Sequence, residues 1–322
     1  MKDKAYIGID LGGTKILTAL ADAQGNIIND TRIPTEADRG SETVLKNIHK
    51  SIKKVLSDGD LHKDNIEAIG IGSPGPLDLE QGLIVGAANL PFKKFPLVKS
   101  IEERTGIPVY LQNDANTAAL GENVFGAGKK VENMIYVTVS TGVGGGIIID
   151  GDIYFGVNGN AGEIGHMTVD PDGPICGCGR HGCLESFSSG TAIARMGREA
   201  VKNNQSELID QLVEGDLEQI DAEIVAKAAR EGDQKAKEIY KTAGKYLGLG
   251  LANLVNIVNP EMIVLGGGVM NAEDLFIVEM KKSLNKLALA APLDIVKLAR
   301  AELGDEIGVR GAVAVAMKKV EG

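Results

Sequence analysis

Three cysteines, Cys176, Cys178 and Cys183, fall in one short glycine-rich run, Cys-Gly-Cys-Gly-Arg-His-Gly-Cys. Three thiolates and one imidazole make a complete tetrahedral set for Zn²⁺, with no open position for water, so a metal held there is structural rather than catalytic. The imidazole comes from His166 upstream or from His181 inside the run. An odd number of cysteines, all local, suits a metal site in a reduced compartment better than a disulfide framework. A second chemistry is written in Asp10-Leu11-Gly12-Gly13-Thr14. Glycines let the backbone N–H groups of a tight turn converge on an anion, and a carboxylate just before the turn can hold, through water, the Mg²⁺ that accompanies phosphates. Thr141-Gly142-Val143-Gly144-Gly145-Gly146 repeats the device, and two such turns could grip one polyphosphate from both sides.

The elements that position these turns are legible from periodicity. Tyr6 to Asp10 and Lys15 to Leu20 read as strands joined by the first glycine turn, and Asp22 to Gly25 turns the chain into Ile27-Ile28. Val44, Leu45, Ile48, Ile52, Val55 and Leu56 form one helical face, and Ile66 to Ile71 returns to strand. Tyr136 to Gly142 lies over Tyr6 to Gly12 when the sequence is shifted, and Asp150-Gly151 is a hairpin dipeptide. The chain therefore reads as two related α/β halves. Helices follow from roughly Thr191 to Asn259, Pro260 stops them, and Met262 to Leu265 leads as a strand into Gly266-Gly267-Gly268. Two lobes across a cleft is the expected outcome, a common place for a ligand.

Two nucleotide signatures fail on inspection. Gly70-Ile71-Gly72-Ser73-Pro74-Gly75 has dinucleotide-binding spacing, but Pro74, Pro76 and the irregular Leu77 to Gly82 cannot open the helix that motif needs. No Gly-Lys is followed by Ser or Thr, so a Walker A loop is absent. With 322 residues, 43% hydrophobic content and a net charge of −10, the chain reads as a globular, acidic protein. That charge argues against nucleic acid or an anionic membrane as partner. No run approaches a membrane span, and the polar start lacks a signal peptide's apolar core, so a cytoplasmic protein is expected.

Six segments together resemble the ROK family of sugar kinases and sugar-responsive repressors: Asp10 to Lys15, Gly72 to Pro76, Gln112 to Asn116, Gly162 to His166, Cys176 to Glu185 and Leu265 to Gly268. Asn89-Leu90-Pro91 also matches the sugar loop of its glucose-phosphorylating members. The resemblance covers essentially the whole chain. It implies an α/β, two-lobed actin/hexokinase-like (ribonuclease H-like) duplicated fold with a central cleft. In that reading residues 1–115, completed by a C-terminal helix over 305–322, form the small lobe, and 116–304 form the large lobe with the zinc loop. It also implies ATP-dependent phosphorylation of a hexose, glucose foremost, with fructose, mannose, allose and N-acetylhexosamine kinases sharing most motifs. Repressors of the family carry an additional N-terminal winged helix, for which a first strand at Tyr6 leaves no room.

Asp114 is the candidate catalytic base, since a hydroxyl nucleophile needs a carboxylate to accept its proton. It follows the strand-like Pro108 to Leu111 and opens the alanine-rich stretch Ala115 to Leu120, where the alternative role is a helix N-cap. By resemblance Gly75, Asn89, Asn113, Glu163, His166 and Glu185 contact the sugar. Asp10, Gly12, Gly13, Thr14 and Lys15 form the first phosphate loop, Thr138, Thr141 and Gly142 belong to the second, and Gly266 and Gly267 lie on the adenosine side. The family pattern selects His166, with Cys176, Cys178 and Cys183, as the zinc set. ATP with Mg²⁺, structural Zn²⁺ and a homodimer or higher oligomer complete the expectation.

Overall fold

Alternation decides the first strand. In β1 (Ala5–Leu11), Ile7, Ile9 and Leu11 enter one hydrophobic cluster, while Tyr6 enters another on the opposite face. The computed structural model describes residues 4–87 and 89–321, so Met1 to Asp3 of the polar start lie outside the described residues. The chain divides into two compact units, the first comprising residues 1–132, 146–161 and 301–322 and the second residues 133–145 and 162–300.

The first unit opens with β1, β2 (Lys15–Asp22) and β3 (Ile27–Pro34), then α1 (Ser41–Asp58) and β4 (Ile66–Ser73). Val44, Leu45, Ile48, Ile52 and Val55 of α1 are buried against the isoleucines of β1 and β4. β5 (Leu77–Asp78), β6 (Leu83–Ala87) and β7 (Leu90–Phe95) form a small antiparallel sheet. The segment after Gly75 thus avoids helix as its prolines require, but it is a strand and turn rather than wholly irregular. α2 (Leu97–Thr105) stops at Gly106, whose φ of 73° is the left-handed helix end that glycine adopts readily. β8 (Val109–Asn113) then closes a five-stranded sheet in the order β3-β2-β1-β4-β8 and delivers the chain into α3 (Asp114–Phe125).

The second unit begins with β9 (Met134–Val139), a glycine turn and β10 (Val143–Ile149), repeating the β1-turn-β2 opening. The far half of β10 returns to the first unit, where Asp150 and Gly151, with φ of 52° and 80°, turn it into β11 (Asp152–Ile153). α4 (Glu185–Ser188), α5 (Gly190–Lys202), α6 (Glu207–Leu212), α7 (Ala222–Arg230) and α8 (Gln234–Val258) follow in the second unit. Asn259, at φ 51°, ends α8 just before Pro260. β12 (Met262–Gly266) runs parallel to β9, and α9 (Ile277–Leu287) and α10 (Ala290–Ile295) lead to β13 (Lys297–Arg300), parallel to β12.

α11 (Ile307–Glu321) completes the first unit by covering the Tyr6 face of its sheet with Val313 and Ala316. α3 belongs with it: buried Glu122 accepts N–H bonds from Ala127 through one oxygen and from Glu302 and Leu303 through the other, at 2.9 to 3.0 Å. Among the described residues no helix is long and apolar enough to cross a membrane.

Candidate active site

Asp10 ends β1, and the turn after it is closed by Gly12 N–H donating to Lys15 O at 3.0 Å. Buried Thr35 braces the turn, donating its hydroxyl to Gly12 O at 2.7 Å and its N–H to Thr14 O at 2.9 Å. A β-carbon on Gly13 would lie 2.6 Å from Asn89 Cβ, so the turn is glycine because Asn89 packs directly on it. Sequence reasoning placed Gly13 and Asn89 in separate motifs; the fold makes them neighbours. Burial holds the Asp10 carboxyl above its ordinary range; Lys15 works against that shift and the nearby Asp114 adds to it.

The start of α3 resolves the N-cap question. Asn113 is the cap, its Oδ1 accepting from the N–H groups of Ala115 at 2.9 Å and Asn116 at 3.4 Å. Asp114 therefore stands one residue inside the helix with an exposed side chain, one oxygen accepting from Ala115 N–H at 2.8 Å. Asn113 Oδ1 is committed to the cap, which leaves the side-chain NH₂ to serve a ligand. Gln112 Oε1 accepts from Asn113 N–H at 2.8 Å and fixes the bend between β8 and α3. Gly75 approaches the same amide: a β-carbon there would lie 3.8 Å from Asn113 Nδ2.

In the second unit Thr138 pairs with Gly266 across β9 and β12, which brings two glycine turns side by side. Gly190 N–H donates to Ser140 O at 2.7 Å and holds the Thr141-Gly142 turn on the start of α5. Gly267 has φ 92°, and a β-carbon would run into the Val139 carbonyl. A cavity of about 570 Å³ opens here, lined by Thr141, Thr191, Gly268, Asn271, Arg198 and Arg230, among others. That volume suits a small ligand of nucleoside size.

By position it is His166 rather than His181 that groups with the three cysteines. His166, Cys176, Cys178 and Cys183 present one ligand atom each, all within 4.8 Å of one another. His166 Nδ1 is 3.7 Å from Cys176 Sγ, and Cys178 Sγ is 3.6 Å from Cys183 Sγ. Tetrahedral Zn²⁺ with Zn–S near 2.3 Å separates its sulfurs by about 3.8 Å, so the donor set and spacing fit this ion. His181 is exposed, with Nδ1 3.0 Å from Gly173 O, and is not in the cluster. Hydrogen bonds from the Arg180 backbone and side chain pull the Cys178 thiol down to about 6, whereas burial pushes Cys176 up to about 12.

His166 Nε2 faces the Glu163 carboxylate at 3.9 Å. Glu185 does something its motif did not announce: Oε2 accepts from Val143 N–H at 3.0 Å and Oε1 lies 3.5 Å from Cys176 Sγ. It joins the cysteine loop to the second glycine turn, and a β-carbon on Gly142 would collide with it.

The chain is similar over nearly its whole length to known proteins. A glucokinase of Halalkalibacterium halodurans is 41% identical over 314 residues, covering 97% of this chain and 94% of the relative. A ROK hexokinase from Thermus thermophilus superposes with a TM-score of 0.84 at 35% identity, over 98% of this chain and 99% of that one. A Streptomyces griseus ROK family glucokinase, solved with glucose and AMPPNP, gives 0.78 at 33% identity over the same shares. The glycine turns, the Asn113-Asp114 bend and the cysteine loop lie within residues 6–319, the stretch that matches the ROK family model, and the chain belongs to the ROK family.

Proposed function

We propose that the chain transfers the γ-phosphoryl group of ATP to the 6-hydroxyl of glucose. One observation carries the reading: Asn113 caps α3, leaving the Asp114 carboxylate exposed within electrostatic reach of Asp10. The glucose O6 attacks the γ-phosphorus, its proton passes to Asp114, and the bond from phosphorus to the β,γ-bridging oxygen breaks, ADP leaving with the electron pair. Because the transition state is loose, the proton departs late and an ordinary carboxylate suffices. Gly12, Gly13, Thr14 and Lys15 receive phosphate oxygens from the first turn, and Thr138, Thr141 and Gly142 from the second. Gly266 and Gly267 lead directly into Gly268, which lines the cavity that would take adenosine. Mg²⁺ held through water by Asp10 would neutralise charge on the transferring phosphates.

The sugar's hydroxyls need fixed donors and acceptors. The Asn113 NH₂, Asn89 and the backbone near Gly75 are sugar contacts in this reading, as are Glu163, Glu185 and the His166 ring, which the family resemblance implies. Zn²⁺ on His166, Cys176, Cys178 and Cys183 would have a structural role. Glucose is supported as substrate by its presence with AMPPNP in the Streptomyces griseus relative and by the name of the Halalkalibacterium halodurans one. Three local cysteines outside any disulfide framework support a cytoplasmic location, and the homodimer or higher oligomer that the family resemblance implies is measurable by light scattering.

Coupled ADP release over a panel of hexoses and N-acetylhexosamines tests the reading, with glucose expected to give the highest kcat/KM. Asp114→Asn should lower kcat by about 100-fold or more while glucose binding is retained. Near-normal turnover in that variant removes Asp114 from the mechanism. Glucose binding without phosphoryl transfer in the unmodified protein would make the chain a sugar sensor.

A further inference from the structure

On the face of β1 turned toward α11, Tyr6 packs against Val313 and Ala316, and the next residue on that face before Asp10 is Gly8, which has no side chain. A β-carbon on Gly8 would sit 2.5 Å from the Val309 carbonyl oxygen and 2.7 Å from Val313 N. One on Gly70, the Gly8 partner in β4, would run into the Ala312 carbonyl. α11 therefore rests on the backbone of the two central strands. Successive strand residues alternate faces, so Asp10 is the next after Gly8 to point at the helix. It meets the first turn: a β-carbon on Gly308 would lie 2.6 Å from Asp10 Cγ and 2.7 and 3.0 Å from its oxygens. No side chain fits there without displacing the carboxylate.

The same helix also fixes α3. Gly311 abuts the Thr117 carbonyl, and a β-carbon on Gly121 would lie 3.0 Å from Gly311 Cα and 3.1 Å from Ile307 O. Thr117 donates its hydroxyl to Asn113 O at 2.7 Å, which ties this contact to the turn bearing Asp114. One helix thus abuts the Asp10 carboxylate and packs against the helix that bears Asp114.

We infer that Gly308 is a positioning residue for phosphoryl transfer: the bare first turn of α11 seats the Asp10 carboxylate and sets its place relative to Asp114 and the Gly12-Gly13 turn. The inference rests on the reading of Asp10 as the carboxylate that holds Mg²⁺. Backbone-on-backbone seating gives α11 little freedom to shift, so an added methyl group must move Asp10 instead.

Gly308→Ala should lower kcat by about 10- to 100-fold, as misplacement near 1 Å does. The Mg²⁺ concentration for half-maximal activity should rise several-fold, and the calorimetric glucose Kd should stay near that of the unmodified protein. Gly86→Ala, where a β-carbon meets nothing within 4 Å, is the comparison and should behave normally. Thermal unfolding supplies a readout independent of activity. Gly308→Ala should lower Tm in the unmodified background and leave it unchanged in an Asp10→Ala background, where the colliding atoms are gone. Equal loss of Tm or of folding in both backgrounds means that the glycine serves another contact and overturns the inference. So does normal Mg²⁺ dependence in Gly308→Ala beside an impaired Asp10→Asn. If Asp10→Asn itself keeps normal turnover and Mg²⁺ dependence, the reading of Asp10 fails and takes the inference with it.

Discussion

Asp10 shows what a phosphoryl-transfer residue costs the resting protein. Burial disfavours its charged form, Lys15 compensates in part, and Asp114 opposes it. The folded pKa therefore stands above the unfolded one, so the stability this group contributes is fully present below the ordinary carboxylate range. It is lost as pH rises through the raised folded value. At neutral pH the carboxylate is a burden on the fold that a bound cation would relieve. Asp10→Asn should accordingly raise the Tm of the metal-free, nucleotide-free protein at pH 7, by about 2 °C, while greatly lowering activity. The gain should shrink as the solution is acidified into the carboxylate range. An unchanged or lower Tm at pH 7 in scanning calorimetry would mean that Asp10 is not held under electrostatic tension.

At the scale of elements, the cysteine loop joins two sites that its sequence motif describes separately. His166 offers one ring nitrogen to the metal cluster and turns the other toward Glu163, while Glu185 links Cys176 to Val143 in the second glycine turn. A ligated histidine normally donates its remaining N–H to a nearby acceptor, and a sugar hydroxyl is the acceptor proposed here. Chelation, or Cys178→Ser, is expected to raise KM for glucose more than KM for ATP, with the overall fold largely kept. A metal that only staples a surface loop predicts lower Tm with an unaltered glucose KM in the molecules that remain folded, and steady-state kinetics on zinc-depleted protein decides. The sequence made much of this legible: the glycine turns, the repeated strand-turn-strand opening, the hairpin at Asp150-Gly151 and the helix end before Pro260 each depend on local chemistry. What it hid depends on chain segments far apart. The choice of Asn113 over Asp114 as cap follows from where the backbone turns helical, Asn113 still being extended at φ −64° and ψ 144° as the end of β8. The packing of Gly13 on Asn89, the Glu185 bridge and the three backbone bonds of Glu122 arise only when distant stretches meet. The strands after Gly75 are too short and too interrupted by glycine and proline to show a period.

On the scale of the whole molecule, the ROK chain is an actin/hexokinase-like α/β fold in which sequence order and spatial order part company. Both ends of the chain belong to one unit, because the glycines of β1 and β4 leave a face that only α11 fills. Tyr6, Ala21 and Ala68 would lose their packing partners Val313 and Ala316 without it, and the strand backbone around Gly8 and Gly70 would be open to water. Residues separated by some 300 positions in sequence must then gain and lose their protection together, since cooperative units follow packing rather than chain position. Native-state hydrogen exchange in increasing denaturant provides the measurement. Amides of β1, β4 and α11 should converge on one opening free energy, while those of β9 and β12, which pair in a separate sheet, define their own. If α11 exchanges by a separate opening of lower free energy, leaving β1 and β4 protected, then the helix is an appendage. It could not then seat Asp10 or steady the helix that bears Asp114.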